Sequence, residues 1–167
     1  MEGREALIDD EVKIVAIILI GVMASITIYP ILAENKVVEP FSELGILGPK
    51  MKLGDYPTNI FVGEDIHLYL YVGNHEGRAK YYEVQVKLGD KDMNVSDTTP
   101  LNAPKLATYD FVLPTESNQT FPITLSISKA GLNQRLVFEM WTLSSETGEF
   151  VYHQRWNQLW LNVTSPI

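Results

Sequence analysis

The sequence predicts a mainly β protein: an immunoglobulin-like antiparallel β-sandwich of seven or eight strands preceded by one N-terminal transmembrane helix. Three observations predict it. Positions 14–33 form one uncharged apolar run; beyond position 58, segments alternate apolar and polar residues at period two; and Gly or Pro punctuates those segments at sandwich-like intervals.

The apolar run reads IVAIILIGVMASITIYPILA. At a helical rise of about 1.5 Å its length matches a hydrocarbon core of roughly 30 Å. A buried core helix would show a polar face, and no polar residue occurs here before Ser25. Tyr29 suits an interfacial position, and Pro30 sits where a kink or stop is tolerated. The preceding tail, 1–13, carries Glu2, Glu5, Asp9, Asp10 and Glu11 against Arg4 and Lys13, a net charge of -3. A cleaved signal peptide has a basic start instead. An uncleaved anchor is therefore expected, with a cleaved signal and a soluble helix as the two other readings. Arg4 and Lys13 outweigh Lys36, which favours a cytoplasmic N-terminus. Gly21 and Ser25 form a small-x-x-x-small pair, the candidate helix-packing site, alongside the plainer reading of two incidental small residues.

Positions 34–40 read as a linker and 41–167 as the extracellular sandwich. Edge strands are expected at 41–47 and 59–62. In 65–73, Ile66, Leu68, Leu70 and Val72 point inward, and His67, Tyr69 and Tyr71 outward. Gly73-Asn74-His75-Glu76-Gly77 reads as the following turn. In 81–89, Tyr82, Val84, Val86 and Leu88 point inward, with Tyr81, Glu83, Gln85 and Lys87 outward. Strands follow at 107–113 and 121–128. Segment 135–143 is apolar on both faces, as a central strand should be, and 150–163 shifts parity near Asn157, which suggests a β-bulge. The breakers are Gly48-Pro49, Pro57, Gly89-Asp90, Pro100, Pro114, Gly131 and Gly148. Packed antiparallel sheets are the natural way to bury these faces.

Composition narrows the function classes. The 167-residue chain has a formal net charge of -8, so it lacks the basic footprint of a nucleic-acid binder. It has no cysteine, hence no disulfide framework and no thiol nucleophile. Its histidines are His67, His75 and His153 alone, and no nucleophile-elbow, phosphate-loop or HExxH pattern occurs. His75-Glu76 and His67 with Glu64-Asp65 lack the spacing of a known metal site and read as solvated turn residues. The stretch Asp90-Lys91-Asp92-Met93-Asn94 lacks the glycine and glutamate of a calcium loop. No catalytic residue, metal ligand or cofactor is expected. Three N-x-[ST] sequons, at Asn94, Asn118 and Asn162, all follow the apolar run and are candidate N-glycosylation sites. The outward aromatics His67, Tyr69 and Tyr71, with Trp141, Trp156 and Trp160 on the last strands beside Tyr152, are the candidate interaction surface; the plainer reading has most of them filling the core.

The stretch 41–90 resembles the outer domain of a family of archaeal predicted membrane proteins of unknown function. The residues that carry the likeness are Phe41-Ser42-Glu43-Leu44, Gly48-Pro49, Asp55-Tyr56-Pro57, Val62-Gly63-Glu64 and Gly73-Asn74-His75-Glu76-Gly77. Typical members place several transmembrane helices before this domain, whereas this chain has one apolar run. Ile60, Val62-Gly63-Glu64 and Ile66 are also similar to adhesion-type immunoglobulin modules. The resemblance implies an archaeal cell-surface protein and no activity.

The expected function is a membrane-anchored interaction module, not an enzyme, docking an envelope layer or a membrane complex. Its partners are the lipid bilayer, through residues 14–33, and proteins of the membrane or envelope, including a second copy of the chain or a larger complex. Two alternatives stand beside it: an accessory subunit of a membrane enzyme complex, for example in glycan transfer, and a pilin-like filament subunit. The second is disfavoured because Arg4 is followed by Glu5 rather than by the small residue that pilin processing needs.

Overall fold

The structure is a computed structural model that describes residues 10–34 and 39–166. The tail before position 10, with Arg4, and the linker positions 35–38, with Lys36, lie outside the described residues. The chain divides into two compact units, Met1–Glu39 and Pro40–Ile167.

The first unit holds α1 (Asp10–Glu34), which continues past Pro30. None of its apolar stretch Val12–Tyr29 is buried in protein. Its hydroxyls close on the helix itself: Ser25 Oγ donates to the Gly21 carbonyl at 2.8 Å and Thr27 Oγ1 to the Met23 carbonyl at 3.1 Å. Polar side chains that satisfy themselves in this way cost little in an apolar medium.

The second unit is a two-sheet sandwich of eight described strands: β1 (Phe41–Leu47), β2 (Asn59–Phe61), β3 (Asp65–His75), β4 (Lys80–Gly89), β5 (Lys105–Leu113), β6 (Ser117–Ser126), β7 (Gly131–Leu143) and β8 (Phe150–Thr164). One sheet runs β1-β3-β6 and the other β2-β8-β7-β4-β5, so β1 and β2 are both edges, and the strand that is apolar on both faces, β7, is central. All pairings are antiparallel except β2 with β8, which is parallel. The parallel pair arises because the chain leaves β1 and crosses to the other sheet before β2. Glycine is required in that crossover at Gly48, where a Cβ would collide with the Gly54 carbonyl.

The alternation predicts the core well. Ile66, Leu68, Leu70 and Val72 are almost fully buried against Tyr82, Val84 and Val86 of β4 and Leu136, Phe138 and Met140 of β7. Each such side chain contributes roughly 1.5–3 kcal/mol on burial.

Three local expectations are corrected. First, β3 does not turn at Gly73 but runs on to His75, because β1 and β6 flank it there (Phe41 opposite His75, Asn74 opposite Ser117). The turn comes after it, with Gly77 at φ 72°. Second, the irregularity in β8 lies before Asn157. Met140 pairs with Arg155 and Trp141 with Tyr152, so His153 and Gln154 are the extra residues, Gln154 at φ 58°. Third, the outward residues Gln85 and Lys87 are buried. Loop 90–104 folds onto that face and forms a second small core of Val95, Leu101 and Val137, packed by Met93, Ala103 and Trp156.

Candidate functional site

The three tryptophans sit on the outer face of the five-stranded sheet, around loop 90–104. Beneath the loop lies a buried ion pair, Lys87 Nζ to Glu139 Oε2 at 2.8 Å, with Glu139 fully enclosed. Lys87 also lies 5.3 Å from the Trp141 ring centroid and donates to the Leu101 carbonyl at 3.0 Å. The other Glu139 oxygen accepts the Leu101 N–H, and Trp141 Nε1 donates to Glu139 Oε2 at 3.3 Å. Further contacts hold the strap down: Arg135 to the Met93 carbonyl, Tyr152 hydroxyl to the Ser96 carbonyl at 2.8 Å, and Trp156 Nε1 to Asp97 at 3.2 Å. Burial, reinforced by the Glu139 and Asp97 carboxylates, pushes the Tyr152 hydroxyl up to about 12, so it remains a donor. Trp141 and Trp156 are thus half-buried parts of this assembly. Trp160 alone of the three is exposed, at 44%, with the Arg135 guanidinium 5.3 Å from its ring.

His67, Tyr69 and Tyr71 share the outer face of the other sheet, so the six aromatic candidates divide between two surfaces rather than forming one patch. His67 is exposed and bonds Thr124 Oγ1 at 3.1 Å. Tyr69 and Tyr71 are half-buried, and Tyr71 donates to Glu43 Oε2 at 2.8 Å. At the end of the strand His75 stacks on Phe41 with centroids 4.5 Å apart. Its Nδ1 meets Glu116 Oε2 at 2.7 Å and its Nε2 meets Glu43 Oε2 at 3.5 Å. The hydrogen bond that its ring donates to the Glu116 carboxylate raises the His75 pKa.

On the inner side of β1 the structure assembles a polar cluster that the sequence did not announce. His153 Nε2 lies 2.8 Å from Ser42 Oγ and 3.1 Å from Glu76 Oε1. Ser42 Oγ donates to Glu76 Oε1 at 2.8 Å and lies 2.8 Å from the Tyr82 hydroxyl. Tyr82 donates in turn to Asn74 Oδ1 at 3.1 Å, and the Asn74 amide bonds the carbonyls of Arg78, Leu113 and Pro114. Burial holds His153 below the ordinary histidine value, against the pull of Glu76. Burial pushes Glu76 upward, but the Ser42 hydrogen bond and the charges of His153 and Lys80 outweigh it, so the carboxyl lies below its usual range.

Serine, histidine and glutamate in contact invite a comparison with a nucleophile relay. There the acid and the nucleophile hold opposite ring nitrogens, so that the acid fixes the tautomer and the free nitrogen takes the serine proton. Here both partners share Nε2, and Ser42 is only 3% exposed. The cluster ties β1, β4 and β8 together, helped by Arg155 Nε on the Ser42 carbonyl and Asn157 Nδ2 on the Leu44 carbonyl. Two signals could have pointed to it: an Asn-His-Glu run at a strand end, and a parity break around His153. Among the described residues no group of three His, Asp or Glu is placed to hold a metal ion.

The remaining candidates fall elsewhere. Asn94 and Asn118 are exposed, whereas Asn162 is half-buried in β8. Gly21 and Ser25 face outward on α1, with nothing within 4 Å of where a Gly21 Cβ would sit.

Residues 35–162, spanning almost the whole sandwich, match the family described as a domain of unknown function, DUF1616. The chain belongs to this family. Membership agrees with the expected resemblance to a family without assigned activity. No curated protein matches the chain. Among solved structures, the CARDB domain of a Pyrococcus furiosus protein, determined with di-metal ions, aligns over 76% of this chain and 96% of its own, at 12% identity and a TM-score of 0.47. A β-glucosidase from Listeria innocua in complex with glucose aligns over 76% of this chain and 16% of its own, at 14% identity and a TM-score of 0.45. Spo0M, a sporulation control protein from Bacillus subtilis, aligns over 75% of this chain and 50% of its own, at 9% identity and a TM-score of 0.44. Neither the metal of the first nor the sugar of the second passes to this DUF1616 domain.

Proposed function

We propose that this protein is a membrane-anchored interaction module of the archaeal cell surface, with a cytoplasmic N-terminus and an extracellular sandwich that docks an envelope layer or a membrane complex and catalyses no reaction. The observation that carries the reading is a 25-residue helix whose 18-residue apolar stretch, Val12–Tyr29, is unburied, joined to a sandwich that buries its own core. A helix of that kind is stable only with its surface in lipid or against another helix. The reactive groups of the sandwich support the non-catalytic part: Ser42, Glu76 and His153 are spent on one another, and Lys87 on Glu139. Of the six aromatic candidates, Trp160 and His67 face solvent, and such residue types suit recognition.

In-cell photo-crosslinking from positions 160 and 67, followed by identification of the captured neighbours, tests the docking role. Capture of the same envelope or membrane protein in independent preparations is expected. Capture of nothing but this chain contradicts it.

One observation favours the accessory-subunit variant. Gly21 and Ser25 lie one turn apart on α1, and the space where a Gly21 Cβ would sit is open, so another helix could approach closely there. Gly21→Ile would abolish co-purification with a membrane complex in that case and leave a free-standing tether unchanged. The mass of the native N-terminus separates both from a processed pilin-like subunit.

A further inference from the structure

We infer that Asn94 and Asn118 are sites of N-linked glycosylation and that Asn162, which carries the same sequon, is not. The inference rests on the extracellular placement proposed above and concerns what the fold does with three motifs of equal sequence merit.

The modification replaces an amide hydrogen. The side-chain nitrogen Nδ2 attacks the anomeric carbon of a lipid-phosphate-linked oligosaccharide. The new C–N bond forms as the anomeric C–O bond to phosphate breaks; the lipid phosphate leaves with the electron pair, and one amide proton is lost to base. The asparagine must therefore present a free Nδ2, and the third sequon residue must lie within reach of the same enzyme.

At Asn94 the fold meets this requirement. Val95 is pinned into the small core under the strap, which turns Asn94 outward into solvent. The hydroxyl of Ser96 sits in the adjoining turn, accepting the Thr99 N–H at 3.1 Å. Asn118 is exposed near the start of β6, an edge strand, opposite Gly73 of β3. Among the described residues neither amide nitrogen has a hydrogen-bond partner.

At Asn162 the fold opposes it. Nδ2, the atom that would react, donates to Asn59 Oδ1 at 3.0 Å, and Oδ1 accepts the Asn133 N–H at 3.0 Å. The third sequon residue, Thr164, turns its hydroxyl toward the Ile60 carbonyl at 3.4 Å. Asn162 thus serves as a clasp joining β2 to the start of β7, and both ends of its amide are in use. The glycans at the other two sites would stand on opposite outer faces of the sandwich. The one at Asn118 would also screen the open edge of β6, which Pro122 already interrupts by removing a backbone donor.

The test is translation of the full chain into endoplasmic-reticulum microsomes, with each sequon asparagine changed to Gln and with Ser145→Cys, an exposed position, as a topology marker. The wild type is expected to show two endoglycosidase-sensitive gel shifts. N94Q and N118Q should each remove one, the double variant both, and N162Q neither. A shift surviving in the double variant, or one lost in N162Q, overturns the assignment. Absence of any shift while the introduced thiol is lumenal overturns the sites but not the topology. Labelling of that thiol from the cytoplasmic side overturns the topology, and the sites fall with it.

Discussion

The two outer faces of the sandwich look alike in sequence and differ in the folded protein. On both, period-two alternation sends polar and aromatic residues outward. On the three-stranded sheet they stay at the surface: His67 is exposed and Tyr71 reaches only to a surface carboxylate. On the five-stranded sheet the same pattern is roofed by loop 90–104, so that Lys87 and Glu139 are buried as an ion pair and two of the three tryptophans become packing. Pointing outward from a sheet is therefore not the same as meeting solvent. The deciding factor is a loop whose apolar residues, Val95 and Leu101, show no periodicity at all.

The sharpest way to break the comparison is to remove one partner of the buried pair. Glu139→Ala strands Lys87 without its carboxylate under the strap and should cost roughly 3–5 kcal/mol, read as a drop in the urea midpoint. The matching change on the other face, Glu116→Ala, removes a carboxylate that is 67% exposed and should move the midpoint far less. Equal losses would mean that the roof does not exclude water. Next in size, Leu101→Ala should cost about 2–5 kcal/mol through the cavity left beneath the strap. It should also raise hydrogen exchange in 90–104 and leave β3 protected.

A third contrast sets the two histidines on either side of β1 against each other. His153 is held below its ordinary value of 6.5 by burial, so the stability from its neutral form is present above that pH and is lost as pH falls below it. His75 is raised by Glu116, so its contribution is complete below 6.5 and is lost as pH rises through the elevated folded value. His153→Gln should flatten the acid side of the stability profile and His75→Gln the alkaline side, measured as urea midpoints from about pH 5 to about pH 8. The same response in both variants would contradict their opposite environments. The smallest effect on stability belongs to Trp160→Ala, because the ring is nearly half exposed. Its midpoint should stay close to wild type while crosslinking from that face falls.

Much of the fold was legible because it rests on local alternation. Ile66 to Val72 named the core face of β3 directly, and Gly48, Pro57 and Pro114 fall between strands as their chemistry predicts. What escaped was long-range. Ser42 meets Glu76 and His153, 34 and 111 positions away, and nothing around Ser42 signals those partners. Asn74 carried turn chemistry, and its Oδ1 does accept the Glu76 N–H at 3.1 Å, yet neighbouring strands on both sides extended β3 through it, and its Nδ2 also reaches the distant carbonyls of Leu113 and Pro114. Of the six aromatic candidates, His67 and Trp160 keep the exposure that recognition needs. Trp141 and Trp156 are drawn into packing around a loop whose arrival no short window could show.

The central claim, that α1 anchors the sandwich outside the membrane, is tested most directly by Ser145→Cys in intact cells. Labelling by a membrane-impermeant maleimide, on a protein that stays in the membrane after alkaline extraction and retains its N-terminus, is the predicted result. Protection of the introduced thiol until lysis, or a soluble protein that begins beyond Ala33, would contradict the account.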